Sequence, residues 1–347
     1  MKKHILDLSL SEFTKEIELL GLPKFRAAQI WDWVYNKHVF SFAKMTSLPQ
    51  VMLPILEQTF SIFIPEIEAV SESKTDKSFK FLLKAEDGKL FEAILMIASA
   101  ERATVCVSCM VGCPLKCKFC ATGSEVTFAR KLSAAEILSQ IFIAQKYALD
   151  NKLASKITNI VFMGMGEPFL NIPGVERAIA MLLSPDGFAM SKSRITISTA
   201  GVDANFANVI NKLGVKLAVS LHFPNDALRS QFMPVNKSFP LAQLVAELKK
   251  IKLSKRETIT IEYIMIDGVN DQVEHAKQLI NLVGSLKVKF NLIPYNPTKM
   301  LNAKPSSDDQ INKFAAFLNS KSFMVTVRRS KGIDVDGGCG QFALKRG

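Results

Sequence analysis

Cys113-Pro114-Leu115-Lys116-Cys117-Lys118-Phe119-Cys120 sets three thiols in a C-x3-C-x2-C pattern, and the number three decides which chemistry they fit. A cubane 4Fe–4S cluster has four irons, so three protein thiolates leave one iron open. An electron carrier closes that position with a fourth thiolate, and a structural zinc ion wants four ligands in a tetrahedron. The pattern therefore points to a cluster whose free iron binds a small molecule, as radical enzymes bind S-adenosylmethionine. Two other readings compete. A disulfide framework fits poorly, because five of the six cysteines lie between Cys106 and Cys120 and no secretory signal is read ahead of them. A zinc knuckle from Cys106-x2-Cys109 and Cys117-x2-Cys120 stays open, but its pairs are close together and Cys113 is left over.

Further along the chain come residues suited to hold such a molecule. In Gly164-Met165-Gly166-Glu167-Pro168, Gly166 allows a ligand close to the backbone and Glu167 offers a carboxylate to an ammonium group. Ser198, Ser220-Leu221-His222 and Asn296 supply neutral donors and acceptors for a carboxylate or a ribose. Any one of them alone reads as an ordinary loop or cap residue. Met163 stands beside the glycine loop and reads as core. The sixth cysteine, Cys339, lies far from the rest in Gly337-Gly338-Cys339-Gly340, where the glycines are expected to let a mobile loop carry a thiol to the site. A free buried thiol is its plain alternative.

These residues need a scaffold, and the hydrophobic pattern describes one. At 347 residues and 48% hydrophobic, the chain can bury a large core plus a smaller one. Amphipathic stretches at Ser11–Leu20 and Phe25–Asn36, split by Gly21-Leu22-Pro23, predict a small helical domain over residues 1–75, with Trp31, Trp33 and Tyr35 in its core. Phe79–Lys84 and Leu90–Ile97 flank Asp87-Gly88, a hairpin signal, and predict a connector over 76–101. From 102 to 347 strand-like runs begin at residues 104, 157, 194, 216, 258, 288 and 324, with helical stretches between them, the first opened by the capping box Ser133-x-x-Glu136. Six such units predict an α/β fold: a parallel sheet in an open, partial (β/α)6 barrel. The cysteine run, the glycine loop, Ser198, Ser220–His222 and Asn296 all fall at carboxyl ends of strands, the catalytic face of barrel-like folds.

Net charge is +12, and residues 1–90 are balanced, so the excess lies in the catalytic part. That favours a polyanionic partner, nucleic acid first, with Arg328, Arg329 and Lys331 as candidate phosphate contacts. No apolar run approaches a membrane span. A reducing, cytoplasmic setting and no membrane are expected.

At four separated motifs the chain resembles the RlmN family of radical S-adenosylmethionine RNA methyltransferases: Cys106 to Cys120, Met163 to Pro168, Ser220 to Asn225, and Gly338 to Gln341. The resemblance implies a radical enzyme that methylates C2 of adenine 2503 in 23S rRNA and of adenine 37 in tRNA, using a 4Fe–4S cluster on Cys113, Cys117 and Cys120 and two molecules of S-adenosylmethionine per turnover. It implies cofactor contacts from Gly166, Glu167, Ser198, Ser220, Leu221, His222 and Asn296. Cys339 would take a methyl group, lose hydrogen to a deoxyadenosyl radical and add its carbon to C2. Cys106 would resolve the adduct by a disulfide with Cys339, and Glu92 would accept the proton, although its alignment needs a one-residue insertion. Residues 1–75 would form an accessory RNA-binding domain, an electron donor such as flavodoxin or ferredoxin would be needed, and the chain would act as a monomer. Two departures stand out. Cys109 replaces a common serine, and Ala121-Thr122-Gly123 also resembles C8-methylating antibiotic-resistance relatives, the alternative reading. A methylthiotransferase is disfavoured, since residues 1–105 hold no cysteine for a second cluster.

Overall fold

The computed structural model describes residues 2–344, so the outer limits of the expected domains at 1 and 347 lie outside the described residues. The N-terminal part is helical: α1 (Leu10–Leu19), α2 (Phe25–Tyr35) and α3 (Leu53–Thr59). A capping box starts α1, with Ser9 Oγ accepting from Glu12 N and the Glu12 carboxylate accepting from Ser9 N. Trp31 and Tyr35 are buried. Tyr35 packs edge-on to Phe142, and Arg177 forks onto the Glu12 carboxylate at 2.8 and 2.9 Å, so this domain is fastened to the catalytic part by apolar and charged contacts together.

The rest is built on one sheet. Its strands are β1 (Glu66–Glu72), β2 (Ser78–Lys84), β3 (Leu90–Ser99), β4 (Arg102–Cys106), β5 (Ile157–Phe162), β6 (Ile195–Thr199), β7 (Lys216–Ser220), β8 (Ile259–Met265), β9 (Val288–Pro294) and β10 (Met324–Val327). All ten lie side by side in sequence order, from β1 at one edge to β10 at the other. From β4 to β10 every neighbouring pair is parallel, while β1 to β4 pair antiparallel. The strand order is open, as a partial barrel requires. Crossover helices follow: α4 (Ala134–Asp150), α5 (Ile172–Leu183), α6 (Phe206–Leu213), α7 (Asp226–Phe232), α8 (Leu241–Leu248), α9 (Val273–Val283) and α10 (Asp308–Ser320). Helix α4 begins at the predicted Ser133/Glu136 box. Strand β8, Ile-Thr-Ile-Glu-Tyr-Ile-Met, is buried almost throughout, which is why it reads as a continuous apolar run.

Two elements differ from the sequence expectation. Strand β1 turns the connector hairpin into a three-stranded antiparallel extension of the main sheet; its Glu-Ile-Glu-Ala-Val-Ser-Glu is exposed on most positions, so no apolar face announces it. Helix α7 is short and lies in a stretch to which the sequence reading assigned no element. Asn225 caps it, its Oδ1 accepting from Leu228 N.

Candidate active site

The loop after β4 carries the three expected cluster ligands. Cys113, Cys117 and Cys120 line one cavity of about 160 Å³ at the carboxyl ends of the strands. The loop is tied by main-chain bonds: Lys118 N donates to Phe232 O of α7 at 2.9 Å, and Ala121 N donates to Gly340 O at 2.7 Å. Gly112 (φ +76°) is required where the loop turns, since a Cβ there would meet Thr127 O at 2.6 Å.

The donor set fits a cluster better than a single ion. Among the described residues no three His, Cys, Asp or Glu side chains converge tightly enough to hold one metal ion. A cubane spreads its thiolates one to each iron, so ligands around a cavity are what it needs. Burial pushes the Cys113 thiol up to about 12 and the Cys117 and Cys120 thiols upward too. The zinc knuckle finds no support. Cys109 is buried with its Sγ toward Met165 O, outside the cavities lined by the other five cysteines, and Cys106 lies beside Cys339.

Glu167, Ser198, Ser220 and His222 line the same cavity. Glu167 Oε2 accepts from Ala200 N at 2.8 Å and Oε1 from Phe169 N at 3.2 Å. Burial raises this carboxyl to about 7 against those bonds, so it is poised to gain from a bound cation. Gly166 (φ +100°) cannot carry a side chain, because a Cβ would lie 2.6 Å from Met110. Ser198 and Ser220 hydroxyls are 3.3 Å apart on adjacent strands. His222, at φ 58°, accepts from Ile264 N through Nδ1, which puts its proton on Nε2; burial keeps the ring neutral, lowering it to about 3.

A second cavity of about 70 Å³ opens beside the first and shares Cys120, Met163 and Cys339 with it. Cys106 and Cys339, from opposite ends of the catalytic part, both line it, together with Arg328 and Lys331. Burial and the neighbouring Cys339 push the Cys106 thiol up to about 12. All six cysteines are free, so the disulfide expected between Cys106 and Cys339 is not formed in this structure. Arg328 faces these thiols and Glu262, whereas Arg329 pairs with Asp308 on the surface; only Arg329 of the expected phosphate contacts is exposed.

Three expected site residues, Leu221, Asn296 and Glu92, line neither cavity. Leu221 is fully buried beneath its strand end and lines neither cavity. The Asn296 amide donates to Cys339 O at 2.9 Å and Ser330 Oγ at 2.8 Å, so it holds the Cys339 loop. Glu92 is completely buried, ion-paired to Lys80 at 3.2 Å and accepting from Leu344 N at 3.1 Å. The glycines beside Cys339 also have a packing role. A Cβ on Gly337 would lie 2.5 Å from Ile94 Cδ1 and one on Gly338 2.9 Å from Asn296 Nδ2, so they let the chain press close to its neighbours.

Arg229 of α7 was missed by the sequence reading. It is fully buried, its guanidinium donating to Leu221 O at 3.2 Å, Asn236 Oδ1 at 2.8 Å, Ser220 O at 3.4 Å and Ala200 O. It ties the ends of β6 and β7 together beneath the cavity. Only the Asn225-Asp226 cap signal could have revealed its helix.

Comparison with known proteins agrees with this geometry. Residues 107–280 match the family model of the radical SAM superfamily, and residues 3–62 match that of the ribosomal RNA large subunit methyltransferase N-terminal domain. A probable dual-specificity RNA methyltransferase RlmN from Fervidobacterium nodosum is 40% identical over 98% of this chain and 97% of its own length. The dual-specificity RNA methyltransferase RlmN of Oleidesulfovibrio alaskensis is 42% identical over 97% of this chain and 95% of its own. The crystal structure of a radical SAM methyltransferase from Sphaerobacter thermophilus, 35% identical, superposes with a TM-score of 0.92, covering 99% of this chain and 100% of that one.

Proposed function

The chain belongs to the RlmN family of radical S-adenosylmethionine RNA methyltransferases, and from that premise we propose that it methylates C2 of adenine 2503 in 23S rRNA and of adenine 37 in tRNA. It is an S-adenosylmethionine-dependent enzyme, and the family works with a 4Fe–4S cluster and two S-adenosylmethionine molecules per turnover. When bound, these supply a methyl group and a 5′-deoxyadenosyl radical. Cys113, Cys117 and Cys120 would hold the cluster. The Glu167 carboxylate would take the ammonium end of the cofactor, with Gly166, Ser198, Ser220 and the Nε2–H of His222 around the rest.

Cys339 Sγ would carry the methyl group as a thioether; once one of its hydrogen atoms has passed to the 5′-deoxyadenosyl radical, the carbon bonds to C2 of the base, one electron returns to the electron carrier and the C2 proton leaves to a base, the role proposed for Glu92. The Cys106 thiolate then attacks the Cys339 sulfur, forming the Cys106–Cys339 disulfide as the S–C bond breaks, and the freed carbon takes up a proton to complete the methyl group. The observation that carries this reading is the meeting of two thiols, Cys106 and Cys339, in one cavity that opens onto the cavity of the three cluster cysteines. An electron donor of the flavodoxin or ferredoxin type, action as a monomer and a cytoplasmic setting complete the proposal; among the described residues no helix is long and apolar enough to cross a membrane.

Peptide mapping tests the carrier directly. After anaerobic incubation of cluster-loaded protein with S-adenosylmethionine, S-methylcysteine is expected at Cys339 alone, and a methyl group on any other residue, or on none, would contradict the assignment.

A further inference from the structure

The segment that carries Cys339 has little regular structure, one helical turn at Ile333–Val335. Something else must fix the thiol. On its near side, Asp334 accepts from Ser73 Oγ at 2.7 Å, Lys74 N at 2.7 Å and Thr75 Oγ1 at 3.1 Å, and Gly332 N donates to Asp76 Oδ2 at 2.9 Å. Those partners form the turn between β1 and β2. On its far side, Leu344 N donates to Glu92 Oε2 on β3 at 3.1 Å, with the Ala343 amide also directed at that carboxylate. Between the two, Gly337 lies against Ile94 of β3. Both flanks of Cys339 are thus held by the antiparallel extension, and neither this extension nor residues 330–344 fall within the stretches matched by family models.

The far anchor is chemically costly. Lys80 and Glu92 have side chains 2% and 0% exposed, and a buried ion pair is seldom more stable than apolar residues of the same volume. Its gain here is a buried carboxyl that accepts main-chain amides of the C-terminal segment; burial pushes this carboxyl up, while Lys80 and those amides pull it back toward the charged form.

We propose that strands β1 to β3 form a clamp that positions Cys339, with Asp334 as the near anchor and the Lys80–Glu92 pair as the far one. These are positioning residues. The inference rests on the reading of Cys339 as the methyl carrier, but the placement of the thiol is measurable without any methyl transfer.

The test is the alkylation rate of each cysteine by iodoacetamide in full-length, ligand-free protein, read by peptide mass spectrometry, with core Cys109 as the control for unfolding. Asp334→Ala, at an exposed site, is expected to speed alkylation of Cys339 about tenfold through easier local opening, with Cys109 unchanged. Asp334→Glu should restore part of the protection. Glu92→Gln is expected to speed Cys339 as well, which a residue acting only as a proton acceptor would not do. Wild-type rates for Cys339 in both Asp334→Ala and Glu92→Gln would overturn the clamp. Faster alkylation in those variants, together with full methylation activity of Cys339→Ala, would instead overturn the methyl-carrier reading and leave the clamp standing.

Discussion

The mouth of the barrel and the Cys339 segment both bring chemistry to one place, yet they are held by different means. At the mouth, Glu167, Ser198, Ser220 and His222 follow directly from the ends of parallel strands, and the register of the sheet sets their spacing. Cys339 sits on no strand, and of its side-chain anchors only Asn296 follows a strand end. Its place depends on side chains of Asp334, Asn296 and Glu92 and on residues remote in sequence. The sheet can therefore keep the mouth rigid, while the thiol proposed to carry the methyl group is held by a few separable bonds.

This contrast can be broken most severely at the mouth. Cys117→Ala is expected to abolish iron binding and methylation together, measured as iron content after reconstitution. Next in size is Arg229→Met, which strips the donor from Ala200 O, Leu221 O and Asn236 Oδ1. At about 1–3 kcal/mol for each buried acceptor, stability should fall by several kcal/mol, read by denaturant melts; a loss under about 1 kcal/mol would mean the mouth is not braced from below.

Glu167→Gln should leave the fold intact and weaken S-adenosylmethionine binding by about 10- to 100-fold in calorimetry, the scale of one charge-assisted bond. Its pH dependence follows from the raised carboxyl. With a folded value of about 7 against 4.5 for an ordinary glutamate, ligand-free protein holds a proton that the unfolded chain has lost. Ionised Glu167 therefore costs stability increasingly as pH rises from 4.5 to about 7, while cofactor binding tightens over the same range. The melting-temperature gain of Glu167→Gln over wild type should grow with pH; a gain that shrinks would contradict the assignment.

The smallest effect belongs to the Cys339 segment. Gly337→Ala meets Ile94 Cδ1, the end of a flexible side chain, so it should cost about 1 kcal/mol and be relieved by Ile94→Val. Only the part of the cost that comes from Ile94 should be relieved, since the added Cβ also comes within 3.1 Å of Gly332 O; a cost of Gly337→Ala indistinguishable from zero would contradict the close packing on β3.

The same contrast explains what the sequence made legible. Strand ends were readable because apolar runs of strand length end in glycine, serine or cysteine motifs, and a parallel sheet brings all such ends to one face. The three-cysteine spacing needed no fold at all. The contacts of Glu92, Leu221 and Asn296 were not legible because the residues that meet them, Lys80, Arg229 and Cys339, are distant in sequence or carry no local pattern. Strand β1 was hidden by its exposed, polar composition, and α7 by its length. The glycines around Cys339 suggested mobility, but close packing against Ile94 and Asn296 equally demands them.

The central claim is that Cys339 delivers a methyl group to an adenine base held at this mouth. Cluster-reconstituted protein, methyl-deuterated S-adenosylmethionine, a reductant and unmodified rRNA or tRNA, combined without oxygen and followed by nucleoside mass spectrometry, test it directly. Deuterated 2-methyladenosine is expected from wild type and none from Cys339→Ala; 8-methyladenosine, or the same product from Cys339→Ala, would contradict the account.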